Sequence, residues 1–200
     1  MRSGSDRSIF YRCSFNGFQD TLYAHSNRQF YRDCDISGTI DFIFGNAAVV
    51  FQNCTIKPRQ PLESQFDTVT AQGKTDPNQN TGIVIQKSSI MAYDENLNAS
   101  TYLGRPWKNY STTVVMESEI GPFLSPLGWV EWDTGVEPNS TIFYAEYNNS
   151  GPGSNVTGRV KWVGYRPNLT DDEAVKFTVQ YFIQGNLWLP DADMEFESTL

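Results

Sequence analysis

A short apolar pattern centred on a cysteine or serine recurs five times along the 200 residues, and it limits the possible folds more than any other feature. Phe10-Tyr11-Arg12-Cys13-Ser14-Phe15 returns as Tyr31-Arg32-Asp33-Cys34-Asp35-Ile36 and as Phe51-Gln52-Asn53-Cys54-Thr55-Ile56. Ile85-Gln86-Lys87-Ser88-Ser89-Ile90 and Val115-Met116-Glu117-Ser118-Glu119-Ile120 continue the series. Each copy has a large apolar or β-branched residue three positions before the Cys or Ser, and Ile or Phe two after it. Successive copies lie 21, 20, 34 and 30 residues apart. A period near 20 that later stretches fits the coils of a parallel β-solenoid with long inserted loops. Helical repeats do not fit, because the segments are short, β-branched and aromatic. A jelly roll or sandwich supplies short strands too, but nothing in it requires matching residues once per coil.

Composition sets the outer limits. With 13 Phe, 10 Tyr and 5 Trp, the chain has ample material for one domain with a core, and disorder is excluded. Residues 1–200 are therefore expected to form a single domain. A net charge of −8 argues against a nucleic-acid partner, which needs a basic surface to displace counterions. No apolar run is long enough to span a membrane. Seven Asn-x-Ser/Thr sequons, at Asn53, Asn98, Asn109, Asn139, Asn148, Asn155 and Asn168, suit a secreted protein better than a cytosolic one. Near the C-terminus, Thr170-Asp171-Asp172-Glu173 has capping-box spacing and precedes an apolar-periodic stretch to Ile183, with Gly185 as a stop. This predicts one short amphipathic helix packed on the solenoid. The stretch from Asn139 to Arg159 has loop composition.

Stacked coils place equivalent residues about 4.8 Å apart. Cys13, Cys34 and Cys54 would then form a ladder, and the spacing alone leaves open whether they are three buried thiols or include one bridge. More telling, Asp20 and Asp41 each stand seven residues after a ladder Cys, so they share a register on consecutive coils. Either alone reads as a turn or capping residue. As a pair roughly 5 Å apart, one strand spacing, they cannot both ionise easily, which separates their pKa values into one acid and one carboxylate. That division suits a nucleophile and a general acid/base. Asp41 also interrupts an apolar run, Ile40 to Phe44, where a carboxylate is costly unless paired or used. The single histidine, His25, has no Ser or Cys motif to form a triad with, and no Cys/His cluster has zinc spacing, so no metal or other cofactor is expected.

Three segments carry a resemblance. Gln19-Asp20-Thr21-Leu22-Tyr23, Asp41-Phe42-Ile43-Phe44-Gly45 and Leu103-Gly104-Arg105-Pro106-Trp107 resemble, in order, signature segments of plant pectin methylesterases. Gly128-Trp129-Val130-Glu131-Trp132 and Gln184-Gly185-Asn186-Leu187-Trp188-Leu189-Pro190 resemble the family as well. The resemblance implies a right-handed parallel β-helix that hydrolyses the C6 methyl ester of galacturonate units in homogalacturonan, releasing methanol. It implies Asp41 as nucleophile, Asp20 as proton donor and then base, and Gln19 as an oxyanion donor. Arg105 is then a hydrogen-bond partner that keeps Asp41 ionised, and Trp107 an aromatic face for a sugar ring. It selects Cys34–Cys54 as the bridge, if one forms. It also implies a secreted, cell-wall monomer with pectin as partner and a proteinaceous pectinesterase inhibitor as a second candidate.

Plant members of the family carry further coils before the Gln19-Asp20 pair, including a Gln-Ala-Val-Ala-Leu-Arg segment whose Gln is a second oxyanion donor. Arg2 fits the last position of that segment. The expectation is that residues 1–200 form the C-terminal part of the catalytic domain, weakly active alone or confined to binding pectin. A polygalacturonase-like glycosidase on the same fold is the alternative enzyme, since it also uses paired carboxylates.

Overall fold

The computed structural model describes the whole chain, Met1–Leu200. Three parallel sheets run its length. The first contains Arg2–Ser3, Leu22–Ala24, Ile43–Gly45, Asp67–Gln72 and Thr101–Pro106. The second contains Ser8–Tyr11, Arg28–Arg32, Ala48–Gln52, Gly82–Gln86, Thr112–Met116, Phe143–Tyr147 and Tyr165–Arg166. The third contains Ser14–Asn16, Asp35–Gly38, Thr55–Pro58, Ser89–Ile90 and Glu119–Ile120. The chain visits the three sheets in rotation, and each strand pairs in parallel with its equivalent on the next coil. This is a parallel β-helix.

The register follows the repeat. Phe10, Tyr31, Phe51, Ile85 and Val115 pair successively in the second sheet. Phe15, Ile36, Ile56, Ile90 and Ile120 do so in the third. Both columns pack into one interior cluster with Leu22, Ile43, Val69 and Leu103 from the first sheet. Tyr31 stacks on Phe10 and on Phe51 at 4.6 Å each, so identical registers become aromatic stacks. The residue before each Cys or Ser has positive φ (Arg12, Asp33, Asn53, Lys87 and Glu117, between 48° and 54°), a left-handed corner that turns the chain from the second sheet into the third. Ser88 and Ser118 continue the sulfur column with hydroxyls, accepting the amides of Cys54 at 3.0 Å and Ser88 at 3.1 Å.

The bridge implied by the resemblance is not formed in this structure, where Cys13, Cys34 and Cys54 are free thiols. Their sulfurs also meet backbone: Cys34 faces the Phe10 and Arg32 carbonyls at 3.4 Å, and Cys54 the Tyr31 and Gln52 carbonyls at 3.5 Å.

Two expectations need correction. The C-terminal helix is broken into single turns, Asp171–Ala174 and Val179–Phe182, with a 3-10 turn at Val175–Phe177 between them. Thr178 is extended, with ψ 163°, and its hydroxyl donates to the Val175 carbonyl at 2.7 Å. β-branched and aromatic residues from Val175 to Val179 have little helical preference to oppose that break. The capping box itself is present: the Glu173 carboxylate accepts from the Thr170 amide at 2.9 Å. The stretch from Asn139 to Arg159 contains a further strand, Phe143–Tyr147, whose apolar pattern is hidden by the charge of Glu146.

The terminal segment covers the outer face of the second sheet. Leu169, Ala174, Val179, Phe182, Ile183, Trp188 and Leu189 pack on Phe30, Val50, Val84, Val114 and Ala145. The outer face of the first sheet is left uncovered by it.

Candidate active site

The open face of the first sheet brings the sequence-predicted residues together. Leu22 pairs with Ile43, so Asp20 and Asp41, two residues earlier on each strand, occupy one register on adjacent coils. The Asp20 amide donates to the Ile40 carbonyl at 3.1 Å, tying the two turns together. Both aspartates have positive φ, 58° and 52°. Aspartate is among the few residue types that tolerate this conformation, which here turns each chain from the third sheet into the first.

Their environments differ sharply. Asp41 is buried and fully bonded. Its Oδ1 accepts from Arg105 Nε at 2.8 Å and from the Thr68 hydroxyl at 2.6 Å, and its Oδ2 accepts from Arg105 Nη2 at 2.7 Å. The Thr68 hydroxyl in turn accepts the Asp41 amide at 2.8 Å. This bidentate, charge-assisted fork fixes the plane of the carboxyl group. Asp20 is exposed, and its carboxyl bonds to no protein group. Partial burial and then the charge of Asp41 push its pKa up, with Arg105 pulling the other way. One carboxyl group is held by an arginine fork and the other is free of protein partners.

Gln19 is exposed beside Asp20, with its carboxamide unbonded to protein. Trp107 follows the Arg105 strand, its amide bonded to the Gln72 carbonyl at 3.2 Å. Its ring packs against Gly73, where a Cβ would come within 2.7 Å of the indole, so a larger residue would have to displace it. Trp107 lies 6.1 Å from Trp132 and 6.3 Å from Phe44, and Phe44 stacks on Tyr23 at 4.4 Å. The first-sheet face is thus an aromatic floor with two carboxyl groups at one margin. A cleft bordered by Trp107, Lys108, Trp132 and Asp133 continues it.

Several groups escaped the sequence reading. Thr68 stands 27 residues from Asp41 and in no motif, but two coils below Asp20 in register it is the natural next rung. Trp132 stacks on the Arg105 guanidinium at 4.4 Å, and Phe66, just before the strand that carries Thr68, lies 5.7 Å from it. The period could have placed Thr68, but nothing in the sequence pairs Trp132 with Arg105. His25 contacts Ser26 at 3.1 Å and Arg2 at 3.2 Å, and no carboxylate is among its partners, so no triad forms. No group of three or more His, Cys, Asp or Glu is arranged to hold a metal ion.

Comparisons with known proteins bear on the family and the fold. The sequence model of the Pectinesterase family matches residues 1–186. "Pectinesterase 3" of Phaseolus vulgaris is 70% identical over 200 residues, all of this chain but 34% of the relative. The structure of pectin methylesterase from carrot superposes with a TM-score of 0.94 at 51% identity, covering 100% of this chain and 63% of that one. A pectin methylesterase solved in complex with a hexasaccharide has a TM-score of 0.74 at 27% identity, covering 98% of this chain and 59% of that one. The chain spans about a third of the length of the curated relatives it matches.

Proposed function

The chain belongs to the pectinesterase family, and from that membership we propose that it hydrolyses the C6 methyl ester of galacturonate units in homogalacturonan. The observation that carries the reading is the asymmetric carboxyl pair: Asp41 gripped by Arg105, and Asp20 free beside it in the same register.

The roles follow from that asymmetry. The Asp41 carboxylate attacks the ester carbonyl carbon, and the electron pair of the C=O moves onto its oxygen. The Gln19 carboxamide N–H donates to that oxyanion; an oxyanion donor is typically worth about 10²–10³ in rate. As the tetrahedral species collapses, the C–OCH₃ bond breaks and Asp20 protonates the departing oxygen, giving methanol and an acyl-enzyme. Asp20, now a carboxylate, takes a proton from water, whose oxygen attacks the acyl carbon. Asp41 leaves as carboxylate, the galacturonate acid is released, and Asp20 is again protonated. Arg105 keeps Asp41 ionised and aimed, and Trp107 supports a sugar ring.

The substrate class is supported by the hexasaccharide complex of the related methylesterase and by the open aromatic floor, which suits a polymer better than a small molecule. All seven sequon asparagines are exposed, which supports a secreted, cell-wall setting. No helix is long and apolar enough to cross a membrane. Pectin is the proposed partner. A proteinaceous inhibitor is a further candidate, supported by the names of relatives such as "Probable pectinesterase/pectinesterase inhibitor 46".

Methanol release from esterified pectin tests the reading, with reducing ends measured in the same sample. Methanol without new reducing ends is expected, and Asp41→Asn should abolish it. New reducing ends without methanol, or full activity in Asp41→Asn, would overturn the esterase assignment.

A further inference from the structure

Arg59 follows the third-sheet strand Thr55–Pro58 and is fixed by its amide to the Gly38 carbonyl at 2.8 Å. Its guanidinium is held between two aromatic rings, 4.5 Å from the Phe18 centroid and 4.4 Å from that of Tyr93. Nη1 donates to the Gly17 carbonyl at 3.2 Å, while Nε and Nη2 have no protein acceptor. No carboxylate pairs with it: Asp94, next to Tyr93, is turned to the Gln60 amide at 3.0 Å. In a chain of net charge −8, an arginine locked in plane with half its donor edge free is an unspent anion-binding group. Phe18 and Tyr93 remain 60% and 47% exposed, so their outer faces are open.

The place matters as much as the chemistry. Gly17, which Arg59 touches, is three residues before Asp20, so the two Cα atoms are at most about 11 Å apart. That is the reach of a sugar next to the one reacting. The ester under attack is neutral, whereas a unit already hydrolysed carries a carboxylate, which a guanidinium edge matches with two parallel hydrogen bonds. The open face of Phe18 can carry the apolar face of that sugar ring.

We propose that Phe18, Arg59 and Tyr93 form a subsite for the free carboxylate of a galacturonate unit neighbouring the ester being hydrolysed. The assignment rests on the esterase reading for its second half, and on uronate recognition alone for its first. Such a subsite makes each product carboxylate a recognition element for the next turnover.

Two arms test it on the full chain. In the first, methanol release is compared on oligogalacturonides that are fully esterified and on ones carrying a free uronate beside an ester. The preference for the mixed oligomer in kcat/KM is expected to be about tenfold, the low end for charge-assisted hydrogen bonds. It should collapse to about twofold or less in Arg59→Gln and fall in Phe18→Ala, with Arg59→Lys between because it keeps charge but loses the fork. In the second arm, unesterified oligogalacturonate is titrated calorimetrically, and Arg59→Gln should weaken binding by about tenfold with an unchanged melting temperature. An equal loss on both oligomers with unchanged uronate binding would mean Arg59 only clamps the Tyr93 loop, and would overturn the proposal while leaving the esterase reading intact. Weakened uronate binding without any methanol release would uphold the subsite and sink the esterase reading instead.

Discussion

Asp41 and Asp67 are both buried on the first sheet, and their fates show how a single partner decides what a carboxyl group can do. Asp41 is gripped by the Arg105 fork, which holds its carboxyl group in one plane. Asp67 is wholly buried at the head of the next strand, where Oδ1 has no partner and Oδ2 has only a long contact of 3.4 Å from the Thr101 hydroxyl. Burial pushes its pKa from 3.8 up to about 7. Because the folded chain holds this proton more tightly than the unfolded one, stability is greatest below the unfolded pKa and falls as pH rises from about 4 to about 7. The expected slope from this group is about 1.4 kcal/mol per pH unit, levelling off once Asp67 is ionised. Urea unfolding at pH 5, 6 and 8 should show the decline in the native chain, and Asp67→Asn should flatten that part of it. An unchanged slope in the variant would mean that Asp67 is not the titrating group.

At the scale of elements, the segment after the first sheet's last full strand joins two distant parts of the molecule. Leu103 donates to the Gly128 carbonyl at 2.7 Å and Val130 to the Gly104 carbonyl at 3.2 Å, so residues 128–130 run along the Arg105 strand and deliver Trp132 over its guanidinium. Underneath, Arg159 and Glu146 form a buried ion pair at 2.8 and 2.9 Å. Glu146 also accepts from Trp129 Nε1 at 3.2 Å and the Tyr165 hydroxyl at 2.8 Å. Arg159 crosses Gly128, where φ is 68° and a Cβ would come within 2.3 Å of the arginine side chain, and donates to the Pro126 carbonyl at 3.2 Å. Arg159→Ala would leave Glu146 buried without its cation, which costs about 3–5 kcal/mol. Chemical unfolding should read that loss, and Glu146→Gln combined with Arg159→Met should lose less than Arg159→Ala alone; equal losses would refute the buried-charge account.

This network marks the limit of what the sequence revealed. The Cys/Ser-centred pattern disclosed both core columns and the shared register of Asp20 and Asp41, because a solenoid repeats its contacts at a fixed interval along the chain. Glu146 pairs with Val115 as the next rung of the second-sheet column, but a charge stands there in place of the apolar residue, so the pattern does not announce it; Arg159 and Trp132 reach the network from loops of unequal length, so no spacing announces them. Thr178 was hidden for a different reason: a local side-chain bond to Val175 overrode a helical pattern that was otherwise continuous.

For the molecule as a whole, two electrostatic effects oppose each other at different ranges. If the chain acts on pectin as proposed, its net charge of −8 repels a polymer that becomes anionic as its esters are removed. Arg105 is neutralised by Asp41, but Arg59 offers a free donor edge at short range. Salt distinguishes them, because the screening length falls from about 30 Å at 0.01 M to about 10 Å at 0.1 M. Long-range repulsion fades over that interval, whereas a contact between a partly desolvated guanidinium and a carboxylate is screened much less. Raising ionic strength across it should therefore increase kcat/KM for sparsely methylated pectin more than for highly methylated pectin, whose chain carries little charge to repel. The gain should be smaller in Arg59→Gln, since that variant lacks the short-range attraction the screened chain can still use. Identical salt dependence on both pectins would show that the acidic surface plays no part in substrate choice, and would leave the local geometry around Asp20 and Arg59 as its only source.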